Sequence, residues 1–238
     1  MARALASAEF AAIDRMTVSV LAATREAYEH WAPLYPPEPH NPLMRAEQQV
    51  MLELCPAAAG RCVLDLGCGT GRYAQIFAKR RAEKVVAMDF CMPMLGRVRS
   101  AHRVCASMMQ LPFAARSFDI VVSGLAVGHA PDLEAWACEV ARVLREGGSL
   151  LYSDFHPDAA RVQLTRSFSD EQQRTWTVPH HTHDLHSQLS ALRAAGLKVA
   201  ATQEVRVGRE LREPFENSES FYARWDGLAL VLIVRADK

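Results

Sequence analysis

Three glycines at alternate positions form the segment of this chain best suited to bind a ligand. Gly67, Gly69 and Gly71 follow a short apolar run, and a helical pattern starts directly after them. Glycine lets the backbone turn sharply and leaves the main chain open to a ligand. The free N–H groups and the positive dipole end of the following helix face the same place. The pattern therefore predicts a site for a nucleotide-like ligand.

The spacing of these glycines limits which nucleotide the turn can hold. A dinucleotide fingerprint would have its third glycine where this chain has Arg72, and a P-loop would continue with Gly-Lys-Ser or Gly-Lys-Thr. A nicotinamide-dependent oxidoreductase and a P-loop enzyme are therefore disfavoured. Asp89 ends the next predicted strand, where a carboxylate can accept hydrogen bonds from both hydroxyls of a ribose. The alternative for Asp89 is that it only caps the next helix.

Histidines supply the candidate acid–base groups. His129 follows the fourth predicted strand and His156 the fifth, and ligands of open α/β sheets bind beyond the carboxyl ends of the strands. Either ring could accept a proton from an acceptor hydroxyl. The alternatives are a turn cap for His129 and a backbone hydrogen bond in a His-Pro turn for His156.

A second group of histidines precedes the penultimate predicted helix: His180, His181, His183 and His186. No pattern of Cys, Asp or Glu completes a metal site with them, so we expect no metal. His181 and His183 are instead candidates for a substrate pocket, with an exposed loop as the alternative. Arginines in the same region, at 161, 166 and 174, are expected on a solvated surface, and pairing with an anionic substrate is the alternative.

Alternating strands and helices must position these side chains. The pattern predicts strands near 62–66, 84–89, 103–106, 118–124 and 148–154, with helices over 71–81, 92–100 and 133–145. A helix at 184–195 and strands at 197–207 and 228–234 follow. Asp132 should cap the helix over 133–145, and Gly147-Gly148 should stop it. Alternation of this kind is typical of a parallel sheet with helices on both faces. The last strand is apolar on both faces and should lie inside the sheet, beside an edge strand.

Two segments lie outside this alternation. Residues 1–45 are expected to form a helical cap, with a helix over 9–35, and the core is expected to span 46–238. Within the core, residues 156–183 are expected to form a substrate lid in which Trp176 and Phe168 pack together.

Composition adds limits to partners and compartment. The 238 residues are 50% hydrophobic and carry a formal net charge of zero, so no nucleic-acid or membrane-surface partner is indicated. The six cysteines have no C-x-x-C spacing and lie in apolar segments, which favours buried, reduced thiols. With no leader-like or membrane-spanning apolar run, we expect a soluble, cytoplasmic monomer or homodimer without membrane insertion.

Several segments together resemble a known family. VLDLGCGTG at 63–71 is similar to the first motif of class I S-adenosylmethionine (SAM)-dependent methyltransferases. VAMD at 86–89, LPF at 111–113, SFDIVV at 117–122 and ARVLREGGSL at 141–150 follow in the order of that family. The resemblance covers about residues 60–155. It is closest to the small-molecule branch, methyltransferase type 11, which includes the ubiquinone and menaquinone C-methyltransferases.

The resemblance implies a Rossmann-like, seven-stranded, mostly parallel sheet whose last strand is antiparallel. It implies that the glycine turn binds the methionine and ribose parts of SAM, ordered by Asp65, and that Asp89 binds the ribose hydroxyls. Ser107 stands where the family usually has an acidic residue that contacts the adenine. The remaining implied cofactor contacts are Cys68, Phe90, Met94, Met108, Ser123, Gly124 and Tyr28. The substrate pocket predicted from the chain's own residues comprises Tyr28, Trp31, His156, Trp176, His181 and His183.

The function that follows is methyl transfer from SAM to an O or C atom of a small organic molecule, such as a quinone-like compound or a secondary metabolite. Methylation of nucleic acid is disfavoured because Ser123-Gly124-Leu125 differs from the Asn/Asp-Pro-Pro-aromatic run of amino-group DNA methyltransferases. A SAM-binding protein without turnover and a protein methyltransferase are the alternatives. A general base is needed only if the acceptor must lose a proton as it attacks.

Overall fold

The computed structural model describes residues 23–99, 101–162, 165–208 and 225–238. The strands are Cys62–Leu66 (β1), Lys84–Asp89 (β2), His102–Cys105 (β3), Phe118–Gly124 (β4), Leu144–Phe155 (β5), Ser167–Ser169 (β6), Thr175–Thr177 (β7), Lys198–Arg206 (β8) and Ala229–Asp237 (β9). The helices are 23–31 (α1), Pro42–Leu54 (α2), Arg72–Lys79 (α3), Met92–Leu95 (α4), Leu133–Val143 (α5), Pro157–Arg161 (α6) and Leu185–Ala194 (α7). Most of the helix expected over 9–35 lies outside the described residues. None of the described helices has the length and apolarity that a membrane span requires.

Seven of the described strands form one sheet in the order β3-β2-β1-β4-β5-β9-β8. The first five strands of this order run parallel, while β9 is antiparallel to both β5 and β8. The predicted α/β class is thus confirmed, including the position of the last strand inside the sheet. Strand order reverses between β1 and β4, so a crevice opens beyond their carboxyl ends, which is where open α/β sheets bind ligands.

The inner strands of the sheet are buried on both faces because their side chains alternate between two cores. In β1, Leu64 and Leu66 pack into the core that Trp136 of α5 and Leu192 of α7 share, whereas Val63 joins the core on the opposite face. On that opposite face, α2 and α3 contribute Met51 and Phe77 among others. Because these strands are packed on both sides, their carboxyl ends and the loops that follow them are held in fixed positions.

Polar caps set where the helices begin. Asp132 accepts a hydrogen bond from Ala135 N at 3.0 Å, which confirms its predicted capping role for α5. Asn41 accepts one from Met44 N at 2.8 Å and is followed by Pro42 in the first turn of α2. Pro42, which ends a proline-rich run, therefore begins a helix, since its missing N–H is not needed there.

Two predicted helices are shorter than expected. The helix predicted over 92–100 ends at Leu95, with Gly96 as its C-terminal cap. The helix predicted to reach residue 145 ends at Val143, and β5 starts at Leu144, which pairs with Phe118 of β4. Gly147 and its neighbour therefore lie inside a strand and do not stop the helix, so that expectation was wrong. The irregular register between β4 and β5 at this point accommodates the glycine pair.

The cysteines are free thiols, but their expected burial holds only in part. Cys68 and Cys91 are buried, Cys55 and Cys62 are half-buried, and the remaining two are exposed: Cys105 and Cys138. Cys105 ends the edge strand β3, and Cys138 lies on the outer surface of α5. Both segments are apolar in sequence, yet edge strands and outer helix faces leave such side chains in solvent.

The predicted lid region contains α6 and a two-stranded antiparallel sheet of β6 and β7. This small sheet packs against α1 through aromatic rings. Trp31 stacks on Phe168 with ring centroids 4.6 Å apart, and His30 stacks on Trp176 at 4.2 Å. The two segments that sequence analysis placed outside the alternating core therefore contact each other.

Candidate functional site

The turn between β1 and α3 is held by the end of the neighbouring strand. Gly67 N and Cys68 N both donate to Met88 O of β2, at 2.8 and 3.0 Å. Gly71 is the N-cap of α3 with φ of 86°, a left-handed conformation that glycine adopts without steric penalty. A Cβ at Gly67 would lie 2.7 Å from the Cβ of Ala126, so the loop after β4 packs directly on this turn.

Two buried carboxylates brace the turn from either side. Asp65 accepts a hydrogen bond from Ala74 N at 2.8 Å and so serves the first turn of α3 in place of a side-chain cap. Asp89 accepts from Gly69 N at 2.8 Å through one oxygen and from Cys91 N at 2.9 Å through the other. Each oxygen keeps acceptor capacity, which a ribose diol requires. Asp89 also keeps the alternative structural role, since it orders the backbone before α4.

Burial dominates the electrostatics of both carboxylates. It raises the pKa of Asp65 to about 7, against the hydrogen bond from Ala74 and the charge of Arg72, which favour the ionised form. Burial also raises the pKa of Asp89, against its backbone hydrogen bonds from Cys91 and Gly69. Two buried acids beside a glycine turn are typical of a site that binds a polar ligand.

The turn opens into a cavity of ≈330 Å³. Asp89 and Phe90 line it after β2, and Leu125, Phe155 and Arg166 line it beyond β4 and β5. The sequence-predicted residues that line this cavity are Tyr28, Trp31, Asp65, Gly67, Cys68, Gly69, Asp89, Phe90, Met94, Met108, Gly124 and His129. Gly71 caps α3 beside the cavity without lining it. The cavity thus spans the carboxyl ends of β2, β1 and β4.

A second cavity of ≈530 Å³ adjoins the first around Asp89 and Phe90. Ser107 and Met108 line it, together with Met88 from β2. The Ser107 hydroxyl accepts a hydrogen bond from Met109 N at 3.2 Å. The side chain at the family's acidic position therefore faces a cavity on the ribose side of the turn, which is the side where an adenine would lie.

Three partly buried polar side chains meet in the wall of the first cavity. Arg166 Nη1 donates to Tyr28 Oη at 2.6 Å and lies 3.0 Å from His129 Nε2. Tyr28 Oη is itself 2.9 Å from the same ring nitrogen. Arg166 Nη2 donates to Leu125 O at 2.8 Å. We call these three side chains the Tyr–His–Arg cluster; it joins α1, the loop after β4 and the segment before β6.

The cluster keeps His129 neutral. Burial and the charge of Arg166 hold the pKa of His129 well below its usual range. Because a guanidinium only donates hydrogen bonds, Nε2 must be the unprotonated nitrogen, and Nδ1 carries the proton of the neutral ring. Burial raises the pKa of Tyr28 to about 12, although Arg166 opposes this rise. Neither side chain is therefore poised to take a proton from an acceptor at neutral pH.

Besides Gly71, five sequence-predicted residues do not line either cavity. Ser123 is fully buried in β4, and its hydroxyl has no hydrogen-bond partner among the described residues. Trp176 donates to Asp170 at 2.9 Å and packs on α1. The others are engaged elsewhere: His183 Nε2 lies 2.8 Å from Ala130 O, and His181 N donates to Gly128 O.

His156 is the fifth of these residues and caps α6. Its Nδ1 accepts from Asp158 N at 3.1 Å, and its Nε2 lies 3.4 Å from a carboxylate oxygen of Glu204 on β8. This arrangement agrees with the structural alternative for His156, a backbone contact in the His-Pro turn. Among the described residues, no three His, Cys, Asp or Glu side chains come together as a metal site.

Some of the residues that build the site were not predicted from the sequence. Glu47 of α2 is fully buried and pairs with Arg72 at 2.8 Å, with Tyr73 Oη at 2.8 Å and with Ser153 Oγ at 2.5 Å. Arg166 was expected on a solvated surface and is instead partly buried in the cavity wall. Arg161 agrees with that expectation, since its side chain is 80% exposed. A charged residue on an amphipathic helix or in a lid carries no sequence signal for such burial.

The fold and the cavity are similar to those of class I SAM-dependent methyltransferase domains. The glycine turn leaves room for a ligand against bare main chain, and Asp89 has free acceptor capacity at the ribose position. The residues present therefore fit SAM, the cofactor of this class.

Comparison with known proteins agrees with this class. Residues 64–152 match the family model described as a methyltransferase domain. A malonyl-[acyl-carrier protein] O-methyltransferase of Methylovorus is 32% identical over 170 residues, which cover 65% of this chain and 56% of that protein. The chain thus spans about half the length of this curated relative.

Two further proteins are similar to this chain, one in sequence and one in structure. The 24-methylenesterol C-methyltransferase 2 of Arabidopsis thaliana is 30% identical over 50% of this chain and 36% of that protein. The crystal structure of a SAM-dependent methyltransferase from Mesorhizobium loti superposes with a TM-score of 0.64 at 21% identity, covering 81% of this chain and 98% of that one. At this level of identity, the structural match shows the fold.

Proposed function

We propose that this protein transfers the methyl group of SAM to an oxygen or carbon atom of a small organic molecule. The observation that carries the proposal is the continuity of the first cavity. Its glycine-turn end fits the cofactor, and its other end, walled by Leu125, Phe155 and the Tyr–His–Arg cluster, leaves a mostly apolar space for an acceptor. The relatives named as O- and C-methyltransferases support both acceptor atoms, and quinone-like compounds and secondary metabolites are the proposed acceptor types.

The chain's own residues would do the work of alignment. When bound, SAM supplies a methyl group attached to a positively charged sulfur. Loss of the methyl group leaves this sulfur as a neutral thioether. Asp89 and the glycine turn would hold the ribose and fix the position of that sulfur. The stack of Trp31 on Phe168 would cover the cavity and exclude water, as a lid formed by residues 1–45 and 156–183. Alignment and exclusion of water carry much of the catalysis in such a displacement.

The proposed setting follows the same reasoning. Free thiols without C-x-x-C spacing support a reducing compartment, and we propose the cytoplasm. Small-molecule acceptors, a monomer or homodimer, and no contact with nucleic acid complete the proposal.

The test is binding followed by turnover. Calorimetry should show that S-adenosylhomocysteine binds and that NAD does not. Labelled SAM offered with a panel of quinols, phenols and acyl thioesters should then label at least one acceptor. Binding without labelling of any small molecule would favour a SAM-binding protein without turnover, and labelling of protein in a cell extract would favour a protein methyltransferase. Absence of S-adenosylhomocysteine binding would overturn the cofactor assignment.

A further inference from the structure

We propose that the acceptor enters the site as an oxyanion, with a carboxylate as its simplest form, and that Arg166 binds it. This inference rests on the proposed function and names the substrate class of the same cavity. It starts from the unusual environment of one guanidinium in the cavity wall.

Arg166 is a partly buried cation without a paired carboxylate among the described residues. Among the described residues, no carboxylate oxygen lies within 4.0 Å of its guanidinium. Arg72 lines the same cavity and provides the contrast, because Glu47 pairs with it at 2.8 Å. The negative charge of Asp154 favours the ionised form of Arg166, but Asp154 does not contact it directly. One oxygen of Asp154 already accepts a hydrogen bond from Phe155 N. A partly buried charge without a close counter-ion attracts an opposite charge, so an anionic ligand at this place would be favoured.

The guanidinium also has donors to spare. It has five N–H groups, and the described residues accept three hydrogen bonds from it, at Tyr28 Oη, His129 Nε2 and Leu125 O. The first two acceptors and the carbonyl hold the guanidinium plane in place. The remaining donors belong to a side chain that lines the cavity, and a planar oxyanion matches such a fork.

The neighbouring groups explain why the acceptor should arrive already ionised. His129 is held neutral, and its free ring nitrogen lies 3.0 Å from a permanent cation, which opposes proton uptake. The carboxylates that line the cavity, Asp65 and Asp89, are engaged by the backbone at the cofactor end. His40 also lines the cavity, but burial lowers the pKa of its ring, which makes it a weak base for an alcohol. A carboxylate needs no such base.

The step balances without proton transfer. An acceptor carboxylate oxygen attacks the methyl carbon, the new O–C bond forms, and the C–S bond breaks with its electron pair left on sulfur. The products are a methyl ester and S-adenosylhomocysteine. Arg166 would hold one carboxylate oxygen while the other attacks. An ionised enol would react in the same way at carbon or oxygen.

The experiment compares anions with their neutral counterparts. Acetate, malonate and benzoate, each alongside its amide, are titrated calorimetrically into the full chain saturated with S-adenosylhomocysteine. We expect at least one carboxylate to bind about tenfold more tightly than its amide. That preference should disappear in Arg166→Gln and persist in Arg166→Lys. Arg161→Gln is the matched control, since Arg161 is exposed and pairs with Asp158, and it should behave like the wild type.

A second titration separates the two sources of a carboxylate, because the methionine part of the cofactor also carries one. Arg166→Gln should change the affinity for S-adenosylhomocysteine no more than that for 5′-methylthioadenosine, which lacks the carboxylate. A loss confined to S-adenosylhomocysteine would mean that Arg166 serves the cofactor, and it would overturn the inference. It is also overturned if no carboxylate is preferred over its amide by the wild type, a comparison that requires no variant to fold. In either case, binding of S-adenosylhomocysteine and labelling of an acceptor would leave the proposed function standing.

Discussion

Arg166 Nη1 donates to Tyr28 Oη at 2.6 Å, and this bond links the predicted lid to the first described helix. The two residues are 138 positions apart, and both lie outside the alternating core. The carbonyl of Leu125, the first residue after β4, accepts a further hydrogen bond from the same guanidinium. The acceptor end of the cavity is thus assembled by segments added to the core, whereas the cofactor end belongs to the core itself.

The ribose assignment of Asp89 is tested by Asp89→Asn. The amide retains one acceptor oxygen, but its NH₂ group would face Gly69 N or Cys91 N, and the charge-assisted bonds to the ribose would be lost. We expect the affinity for S-adenosylhomocysteine to fall by about 1.5–3 kcal/mol in calorimetry. Asp132→Asn is the control, because asparagine caps α5 as well as aspartate does. Equal affinities for the two variants would assign Asp89 a structural role only.

The close approach at the glycine turn is tested by two alanine substitutions. Gly67 and Gly60 have nearly the same backbone, with φ of +67° and +71°. A Cβ at Gly67 would meet the Cβ of Ala126 at 2.7 Å, whereas a Cβ at Gly60 meets nothing within 4 Å. Both variants should lose about 1 kcal/mol or more through the left-handed backbone. Gly67→Ala should lose a further ~1–3 kcal/mol through overpacking, measured by denaturant unfolding.

Gly67→Ala should also weaken the binding of S-adenosylhomocysteine, because the loop after β4 would have to move. Gly60→Ala should leave that affinity unchanged. If both variants lose the same free energy of unfolding, the contact between the turn and Ala126 does not constrain the site.

The cofactor end of the site could be predicted from sequence because its determinants are local. A strand, a glycine turn and a helix are adjacent in the chain, and Asp89 follows at the end of the next strand. The acceptor end could not be predicted in the same way, because Tyr28, His129 and Arg166 meet only through tertiary packing. The predicted helix ends were wrong for a related reason. Gly147 resembles a helix stop in sequence, but the pairing of Leu144 with Phe118 starts β5 before the glycine is reached.

His129 and His156 were both predicted as candidate bases because each follows a strand of the sheet, but they should respond differently to substitution. His156 caps α6 and faces Glu204, so His156→Asn, which keeps a capping acceptor, should retain the affinity for S-adenosylhomocysteine and the rate of methyl transfer. His129→Asn would remove the ring that holds Arg166 and should lower the rate at least about tenfold. Rates are measured with labelled SAM and an acceptor from the panel. A rate loss confined to His156→Asn would reverse this assignment.

The buried network around Glu47 should be a large source of stability. Glu47→Ala would leave Arg72 as an unpaired cation that is mostly buried and would remove an acceptor from Tyr73 and Ser153. Breaking a buried pair in this way costs about 3–5 kcal/mol of the free energy of unfolding. Glu53→Ala on the same helix is the control, because Glu53 is exposed, and it should change stability by no more than about 0.5 kcal/mol. Similar losses in the two variants would show that Glu47 contributes little.

Asp65 should make the stability of the protein depend on pH. Burial raises the pKa of Asp65 from 3.8 to about 7, so the folded protein holds this proton more tightly than the unfolded chain does. The stability that comes from the protonated form is fully present below about pH 4 and is lost as pH rises to about 7. Asp65→Asn stays neutral, so its free energy of unfolding should rise relative to the wild type across this window. The expected gain is on the order of 2–4 kcal/mol. Denaturant unfolding of both proteins at a series of pH values measures this difference, in which the other titrating groups cancel. Parallel curves would show that Asp65 is ionised throughout, despite its burial.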